Sequence, residues 1–284
     1  MKNDKSSKYT RYITIVLVVT SICMLVGIFK MRQEKIKREK EREEISKIIN
    51  ESESLIDNGS SECFVKAEAN YEKLLAKVGN RGDLTEGFLH ERTGYIKNDL
   101  WDLKGCVEEF NKALAIYEKL GSEESNKRKA QTLYHMGIAL TGSFREAEER
   151  REGIVYLKKA AEEFRKLNDM GAQADTLKSI GNTYRWLEET DTGFVYSEEA
   201  LKLYRQLGYV ADEVETLTDI GRGFLKKNDS EEKGVEYLKK GLSISGEKGY
   251  KVGQVAILDT LGSYHVSRDE YKEAQNLYEK ALIS

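Results

Sequence analysis

The sequence predicts an all-α solenoid, a right-handed superhelix of antiparallel helix pairs, preceded by one N-terminal transmembrane helix. Three observations predict this fold class. A pattern of small residues recurs about every forty residues, one N-terminal stretch is apolar and uncharged, and the 284 residues include no proline. A fixed period of this size is the signature of a repeat protein whose units bury their apolar faces against their neighbours. The absence of proline allows long helices to run unbroken.

The N-terminal region divides into a basic tail over residues 1–11, a transmembrane helix over 12–29 and a charged helical stalk over 30–57. From Ile13 to Phe29 the chain carries no charge over 17 positions. At about 1.5 Å per residue, such a helix just spans a hydrocarbon layer of roughly 30 Å. The alternative is a cleaved signal peptide, but no small-x-small cleavage site follows the apolar run. We therefore predict a retained single-pass anchor.

The charges that flank this anchor do not decide its orientation. Four basic residues precede the apolar run and eight lie between Lys30 and Lys47. Counting basic residues alone places the C-terminal part in the cytosol, whereas a short tail with four cations is awkward to translocate. The side of the membrane that holds the rest of the chain therefore stays open. Within the stalk, lysine and glutamate residues four positions apart favour a helix.

The repeats occupy residues 58–284, as about five full units after a degenerate first one. In each full unit a glycine is followed 12 to 16 residues later by a second small residue. The pairs are Gly94 and Cys106, Gly137 and Gly153, Gly181 and Gly193, Gly221 and Gly234, and Gly262 and Ala274. We expect these positions to let the two helices of a unit cross closely, since overpacking there costs roughly 1–3 kcal/mol.

Two further features concern the turns between these helices. Glycines at Gly121, Gly208 and Gly249 predict helix ends, because glycine readily adopts the left-handed cap. The unit that contains Gly137 has four extra residues between its small positions. They centre on the stretch from Thr141 to Phe144, where we predict a longer turn on one rim of the solenoid.

The best-matched unit resembles the tetratricopeptide repeat (TPR), in its variety of about forty residues. The residues that carry the resemblance are Leu177, Ile180, Gly181 and Tyr184 on the first helix, followed by Gly193 and Ala200 on the second. It covers about residues 62–284 and lacks the proline that the family has after the second helix. The resemblance implies that the first helices of successive units line a concave groove that binds peptides.

The resemblance also implies candidate ligand contacts at exposed positions of the first helices. Lys178 with Asn182 resembles the lysine–asparagine pair with which some members hold the C-terminal carboxylate of a peptide. Further residues at such positions would supply positive potential or apolar anchors: Arg185, Arg222, Lys226, Trp186 and Tyr134. The alternative is a solvated charged face, on which Asp175, Glu215 and Asp219 pair with the cations.

The composition and the remaining motifs argue against other functions. With 46 basic and 49 acidic residues, the chain shows no general affinity for nucleic acid. The three cysteines match no zinc or redox spacing, and no phosphate-binding loop or nucleophile elbow occurs. We therefore predict a non-catalytic, membrane-anchored adaptor without a cofactor, whose partner is a protein or peptide. The alternative is a structural spacer or a self-associating subunit of a membrane complex.

Overall fold

The computed structural model describes the backbone of residues 3–142, 144–227 and 230–283, and the side chains in those ranges except residues 3–23 and Leu25. The described elements are all α-helices. They are α1 (Asn3–Asn58), α2 (Ser61–Val78), α3 (Leu84–Asp99), α4 (Leu103–Leu120), α5 (Glu123–Thr141), α6 (Ala147–Lys166), α7 (Met170–Trp186), α8 (Thr190–Leu207), α9 (Val210–Leu225), α10 (Glu231–Glu247), α11 (Lys251–Ser267) and α12 (Tyr271–Ile283). The chain divides into two compact units, Met1–Leu74 and Leu75–Ser284.

The first unit contains α1 and most of α2. The α1 helix ends at Asn58, and Gly59 follows with a φ of 73°. The Asn70 amide of α2 donates a hydrogen bond of 3.2 Å to Ser52 Oγ of α1, and the Tyr71 hydroxyl donates to the Glu53 carboxylate. These bonds join the two helices within this unit.

Most of the predicted transmembrane helix lies outside the residues whose side chains are described, as does the basic tail over 1–11. Among the residues that the structure does describe, no helix is both long enough and apolar enough to cross a bilayer. The anchor over residues 12–29 therefore stays a prediction.

The second unit is a row of helix pairs, which confirms the helical repeat solenoid. Its pairs are α3 with α4, α5 with α6, α7 with α8, α9 with α10, and α11 with α12. The second helix of each pair packs against the first helix of the next pair, and the first helices of neighbouring pairs also touch. The side chains of α3, α5, α7, α9 and α11 can therefore contribute to one continuous face.

The small residues stand where the two helices of a pair cross. A Cβ added at Gly193 would lie 2.6 Å from the Gly181 carbonyl oxygen, and one at Gly234 would lie 2.8 Å from that of Gly221. Both distances are far below the normal separation of such atoms. Ala200, the second small residue of the resemblance on α8, is completely buried. The close crossing that the sequence predicts is confirmed.

The apolar core runs along the second unit as a series of clusters that join neighbouring pairs. In one cluster, Leu201 of α8 packs with Leu217, Ile220 and Phe224 of α9. Burying a leucine or phenylalanine side chain fully contributes roughly 1.5–3 kcal/mol. Each junction between pairs is therefore stabilised locally, as expected for a repeat protein.

The turns also follow the sequence predictions. Gly121 and Gly208 end α4 and α8 in the left-handed conformation, with φ of 59° and 70°. The predicted longer turn lies between α5 and α6, and there Phe144 is 81% exposed. Its ring lies 5.8 Å from that of Trp101, which occupies the turn between α3 and α4.

Candidate peptide-binding cleft

An open cleft of about 1190 Å³ lies between the C-terminal halves of α7, α9 and α11 and the start of α8. The structure brings four of the seven predicted site residues together in its lining: Arg185, Trp186, Arg222 and Lys226. Lys178 and Asn182 lie further back along α7, and Tyr134 lies on α5; these three residues do not line the cleft. The predicted site is therefore split between the cleft and the helices beside it.

Lys178 and Asn182 both reach from α7 to the neighbouring first helix α9. Lys178 Nζ lies 2.9 Å from Glu215 Oε2, and Asn182 Nδ2 donates a 3.1 Å hydrogen bond to Asp219 Oδ2. The Lys178 side chain is only 17% exposed. The groups that the resemblance assigned to a peptide carboxylate are thus engaged by carboxylates of the next repeat.

Arg185 is largely buried at the inner wall of the cleft. Its guanidinium donates to the Asp219 carbonyl oxygen and, over 2.8 Å, to Asn182 Oδ1, while Nη2 stands 3.7 Å from Asp219 Oδ2. Burial lowers the pKa of Arg185; the negative charge of Asp219 opposes this shift, and the positive charge of Arg222 adds to it. Two guanidinium groups therefore lie close enough to repel each other.

Arg222 on α9 and Lys226, the C-cap residue of α9, lie about one turn apart and are exposed. Arg222 Nε and Nη2 donate hydrogen bonds of 3.1 and 3.0 Å to Thr260 Oγ1 on α11. Neither cation forms an ion pair with a residue that the structure describes. The cleft therefore presents two positive charges that no described carboxylate compensates.

The two predicted aromatic anchors have different surroundings. Trp186 is 59% exposed, and the Arg150 guanidinium lies 5.2 Å from the centre of its ring. Tyr134 is half-buried and packs against two clusters of the core, with its ring edge-on to His135. Trp186 offers apolar surface to a ligand in the cleft, whereas Tyr134 mainly packs between repeats.

The structure adds lining residues that the sequence analysis did not select. On α11 they are Asp259, Thr260, Ser263, Tyr264 and Ser267. Asp259 and Ser263 occupy, relative to Gly262, the same positions that Lys178 and Asn182 occupy relative to Gly181. Extending the family positions to this last unit would have found both. Tyr264 lies off those positions, and no sequence signal singles it out.

Two ion pairs lie at the outer edge of the cleft. Lys227 Nζ lies 2.8 Å from Asp191 Oδ2 of α8, and Arg151 Nη2 lies 2.7 Å from Glu189 Oε1. Both carboxylates line the cleft, and each is compensated by a cation. The remaining lining carboxylates are Glu188, Asp219 and Asp259, of which Asp219 lies beside Arg185. The cleft is therefore of mixed charge and suits a ligand that carries both donors and acceptors.

The histidines lie elsewhere and have partners of their own. His90 Nδ1 lies 2.6 Å from Glu109 Oε2, and His265 Nδ1 lies 2.5 Å from Glu270 Oε2. Burial lowers the pKa of His135 to about 4, so its ring is neutral near pH 7. Among the described residues, no group of histidine, cysteine and carboxylate side chains could hold a metal ion.

The comparisons with known proteins agree with this architecture. Residues 255–284 match the family model of the tetratricopeptide repeat. No curated protein matches the sequence significantly. Among solved structures, the apo form of RapI is similar with a TM-score of 0.62 and 13% identity, and the match covers 84% of this chain and 96% of that one.

Two further structures show the same likeness. Aspartyl phosphate phosphatase F from Bacillus subtilis matches with a TM-score of 0.54 and 15% identity, over 84% of this chain but 59% of that one. BtubC from P. vanneervenii matches with a TM-score of 0.56 and 10% identity, over 79% of this chain and 89% of that one. At these identities the likeness shows the fold alone. The chain has a TPR-like helical repeat fold, which is typical of proteins that bind other proteins or peptides.

Proposed function

We propose that this chain is a non-catalytic scaffold that binds an extended segment or a helix of another protein in the cleft between α7, α9 and α11. The observation that carries the proposal is the pairing of uncompensated cations at Arg222 and Lys226 with the exposed indole of Trp186, all in one open cleft. Charged donors beside an exposed aromatic ring are typical of sites that anchor a protein ligand. The TPR-like fold supports the same function.

The bonds between first helices support binding by a preformed surface. Lys178 and Asn182 tie α7 to α9, and Arg222 ties α9 to α11. A surface that is already ordered loses less conformational entropy when a ligand binds. We further propose that the helix pairs wind as a right-handed superhelix with the first helices on its concave side, as the family resemblance implies.

The test compares two exposed serines, of which one lines the cleft. A photo-cross-linking residue in place of Ser263 would first identify the partner, and the purified partner would then be titrated against Ser263→Trp and Ser243→Trp. Ser263 lines the cleft, whereas Ser243 lies on α10 away from it. We expect the indole at position 263 to fill the cleft and weaken binding about tenfold or more, which is ~1.4 kcal/mol. Equal affinities of the two variants would contradict the proposal.

We also propose that residues 12–29 anchor the protein in a membrane as a single pass. The charge-free run from Ile13 to Phe29 supports this proposal. We expect the full chain to stay in the membrane pellet after alkaline carbonate washing, and a variant without residues 12–29 to be released. Labelling Lys104→Cys with an impermeant maleimide in intact cells would then determine which side holds the repeats.

A second candidate function is a structural subunit that self-associates. Leu282 and Ile283 on α12 are 88% and 85% exposed, whereas Leu201 at the position of α8 that corresponds to Leu282 is fully buried. Exposed leucine and isoleucine side chains favour association. We expect Leu282→Lys to reduce any oligomer that light scattering detects in detergent. A monomer at every concentration of the unaltered chain would exclude this function.

A further inference from the structure

We infer that the cleft holds an anionic group of the bound segment, a carboxylate or a phosphoryl group, between Arg185 and Arg222, and that Lys178 and Asn182 make no contact with the ligand. This inference rests on the proposed function, because it names the chemistry of the segment that the cleft binds. It changes the location of the anion site that the family resemblance implies, from the middle of α7 to the junction of α7, α9 and α11.

The cations of the cleft are incompletely compensated. Arg185 has the Asp219 carboxylate beside it, whereas Arg222 forms no ion pair with a described residue. The Asp219 Oδ2 atom already accepts a hydrogen bond from Asn182 over 3.1 Å and stands 3.7 Å from Arg185 Nη2. Lys226, one turn after Arg222, adds another positive charge to the lining. Of these three cations only Arg185 lies within ion-pair distance of a described carboxylate, and a ligand anion would relieve their mutual repulsion.

Arg185 and Arg222 also have N–H donors that no described residue uses. A guanidinium group carries five N–H donors. Arg222 uses Nε and Nη2 on Thr260, and no described residue accepts a hydrogen bond from its Nη1. Arg185 Nε is buried and has no partner among the described residues. Donors of this kind bind carboxylate and phosphoryl oxygens with short, charge-assisted bonds.

The carboxylates of the same lining limit the ligands that the cleft can bind. Lys227 and Arg151 compensate Asp191 and Glu189, as described above. The Asp259 and Glu188 side chains form no hydrogen bond or ion pair with a described residue. These two carboxylates would repel a polyanion. They would accept hydrogen bonds from backbone N–H groups or from a basic side chain of the ligand. The ligand is therefore a peptide segment with one acidic or phosphorylated residue beside donors, rather than a nucleic acid.

Lys178 and Asn182 are held by other residues of the chain and are not free to bind a ligand. The Lys178 ammonium lies 2.9 Å from Glu215, and the Asn182 side chain both donates to Asp219 and accepts from Arg185. A ligand would have to break these bonds to reach the two side chains. Lys178 holds α7 against α9 through Glu215, whereas Asn182 is the one of the two that contacts and positions the Arg185 guanidinium.

The experiment is a titration of the full chain, in detergent micelles, with small anions. Inorganic phosphate and N-acetylglutamate are the two probes, and the Nε–Hε signals of the arginines are followed by NMR. We expect saturable shifts of the Arg185 and Arg222 signals. Arg222→Gln should weaken binding of the preferred anion about tenfold or more, as expected for the loss of hydrogen bonds to a charged group. Lys178→Gln is the matched control, and it should leave the affinity unchanged.

The two probes distinguish the sources of the anion. Tighter binding of phosphate indicates a phosphoryl group on the ligand, and tighter binding of N-acetylglutamate indicates a carboxylate. If Arg222→Gln fails to fold by circular dichroism, Arg222→Lys takes its place. It keeps the charge but loses the two-pronged geometry, so we expect a smaller loss of affinity.

Two results would overturn the inference. One is the absence of any saturable shift with either anion in a folded protein. The other is a loss of affinity in Lys178→Gln as large as that in Arg222→Gln. Failure here is separable from failure of the proposed function. If Ser263→Trp abolishes partner binding but neither anion binds, the scaffold proposal stands and the anion site is wrong. If an anion binds but Ser263→Trp does not change partner binding, only the anion site stands.

Discussion

A methyl group added where α7 and α8 cross should destabilise the second unit measurably. Gly193 of α8 faces the Gly181 carbonyl oxygen of α7. A Cβ at Gly193 would meet that oxygen at 2.6 Å, Tyr184 Cβ at 3.2 Å and Arg185 Cγ at 3.4 Å. All three atoms belong to α7, and the first is a backbone oxygen that moves only with its helix. The substitution Gly193→Ala therefore requires the two helices to separate.

The size of the effect follows from two opposing contributions. Ordinary contact begins at 3.4 Å, so the helices must move apart by about 0.8 Å. Overpacking of this kind costs roughly 1–3 kcal/mol, and a rigid carbonyl oxygen favours the upper end. The higher helix propensity of alanine offsets about 1 kcal/mol. We expect a net loss of about 2 kcal/mol, which lowers the melting temperature by roughly 4–8 °C for a chain of this size.

The matched control is Gly246→Ala. Gly246 lies within α10, and nothing stands within 4 Å of a Cβ at that position. Alanine should therefore stabilise the helix there by roughly 0.5–1 kcal/mol. Both variants would be measured by urea denaturation, with circular dichroism for the whole chain. In a background with Trp101→Phe, the fluorescence of Trp186 at the end of α7 reports on the affected pair.

Repeat proteins unfold in parts, so the two probes carry different information. We expect Gly193→Ala to shift the midpoint from Trp186 fluorescence more than the midpoint from circular dichroism. If Gly193→Ala leaves the free energy of unfolding unchanged, or raises it as much as Gly246→Ala does, the close crossing is refuted. It would mean that the small-residue columns do not limit the approach of the helices.

Three other predictions concern named contacts. Burial raises the pKa of the Glu91 carboxyl group. Its contribution to stability is therefore complete below the unfolded-state pKa and is lost as the pH rises through the folded-state pKa. Between about pH 4 and pH 7, the free energy of unfolding should fall less in Glu91→Gln than in the unaltered chain. Asn182→Ala and Asp219→Ala should be coupled by about 0.5–1.5 kcal/mol in a double-mutant cycle, because their hydrogen bond joins two repeats. Gly208→Ala should lose about 1 kcal/mol in urea denaturation, because φ is 70° at this helix end.

Much of the fold could be predicted from the sequence because its determinants are local or periodic. The spacing of Gly181 and Gly193 predicts which two helices cross, and Gly208 predicts where one of them ends. Both predictions depend on backbone geometry that only a small residue permits. The longer turn at Phe144 follows from a count of residues. The anchor over residues 12–29 rests on sequence alone.

The site was less predictable because its side chains form hydrogen bonds and ion pairs with residues of neighbouring repeats. Lys178 and Arg222 both occupy predicted ligand-contact positions of first helices, Lys178 three residues before Gly181 and Arg222 one residue after Gly221. What separates them is the residue that the adjacent helix places opposite. Lys178 meets Glu215, whereas Arg222 meets the hydroxyl of Thr260. The stagger between helices decides this pairing, and a single repeat pattern contains no information on it.

This difference between the two cations explains how one surface can be both rigid and available for binding. A cation that is paired across a repeat junction stabilises the junction but has lost much of its capacity to attract an anion. A cation that is held by a neutral hydroxyl keeps its charge uncompensated while its side chain is fixed. Arg222 is of the second kind, since Thr260 accepts two of its hydrogen bonds without neutralising it. A fixed but uncompensated guanidinium is preorganised for an anion, and this geometry makes Arg222, rather than Lys178, the residue on which binding should depend.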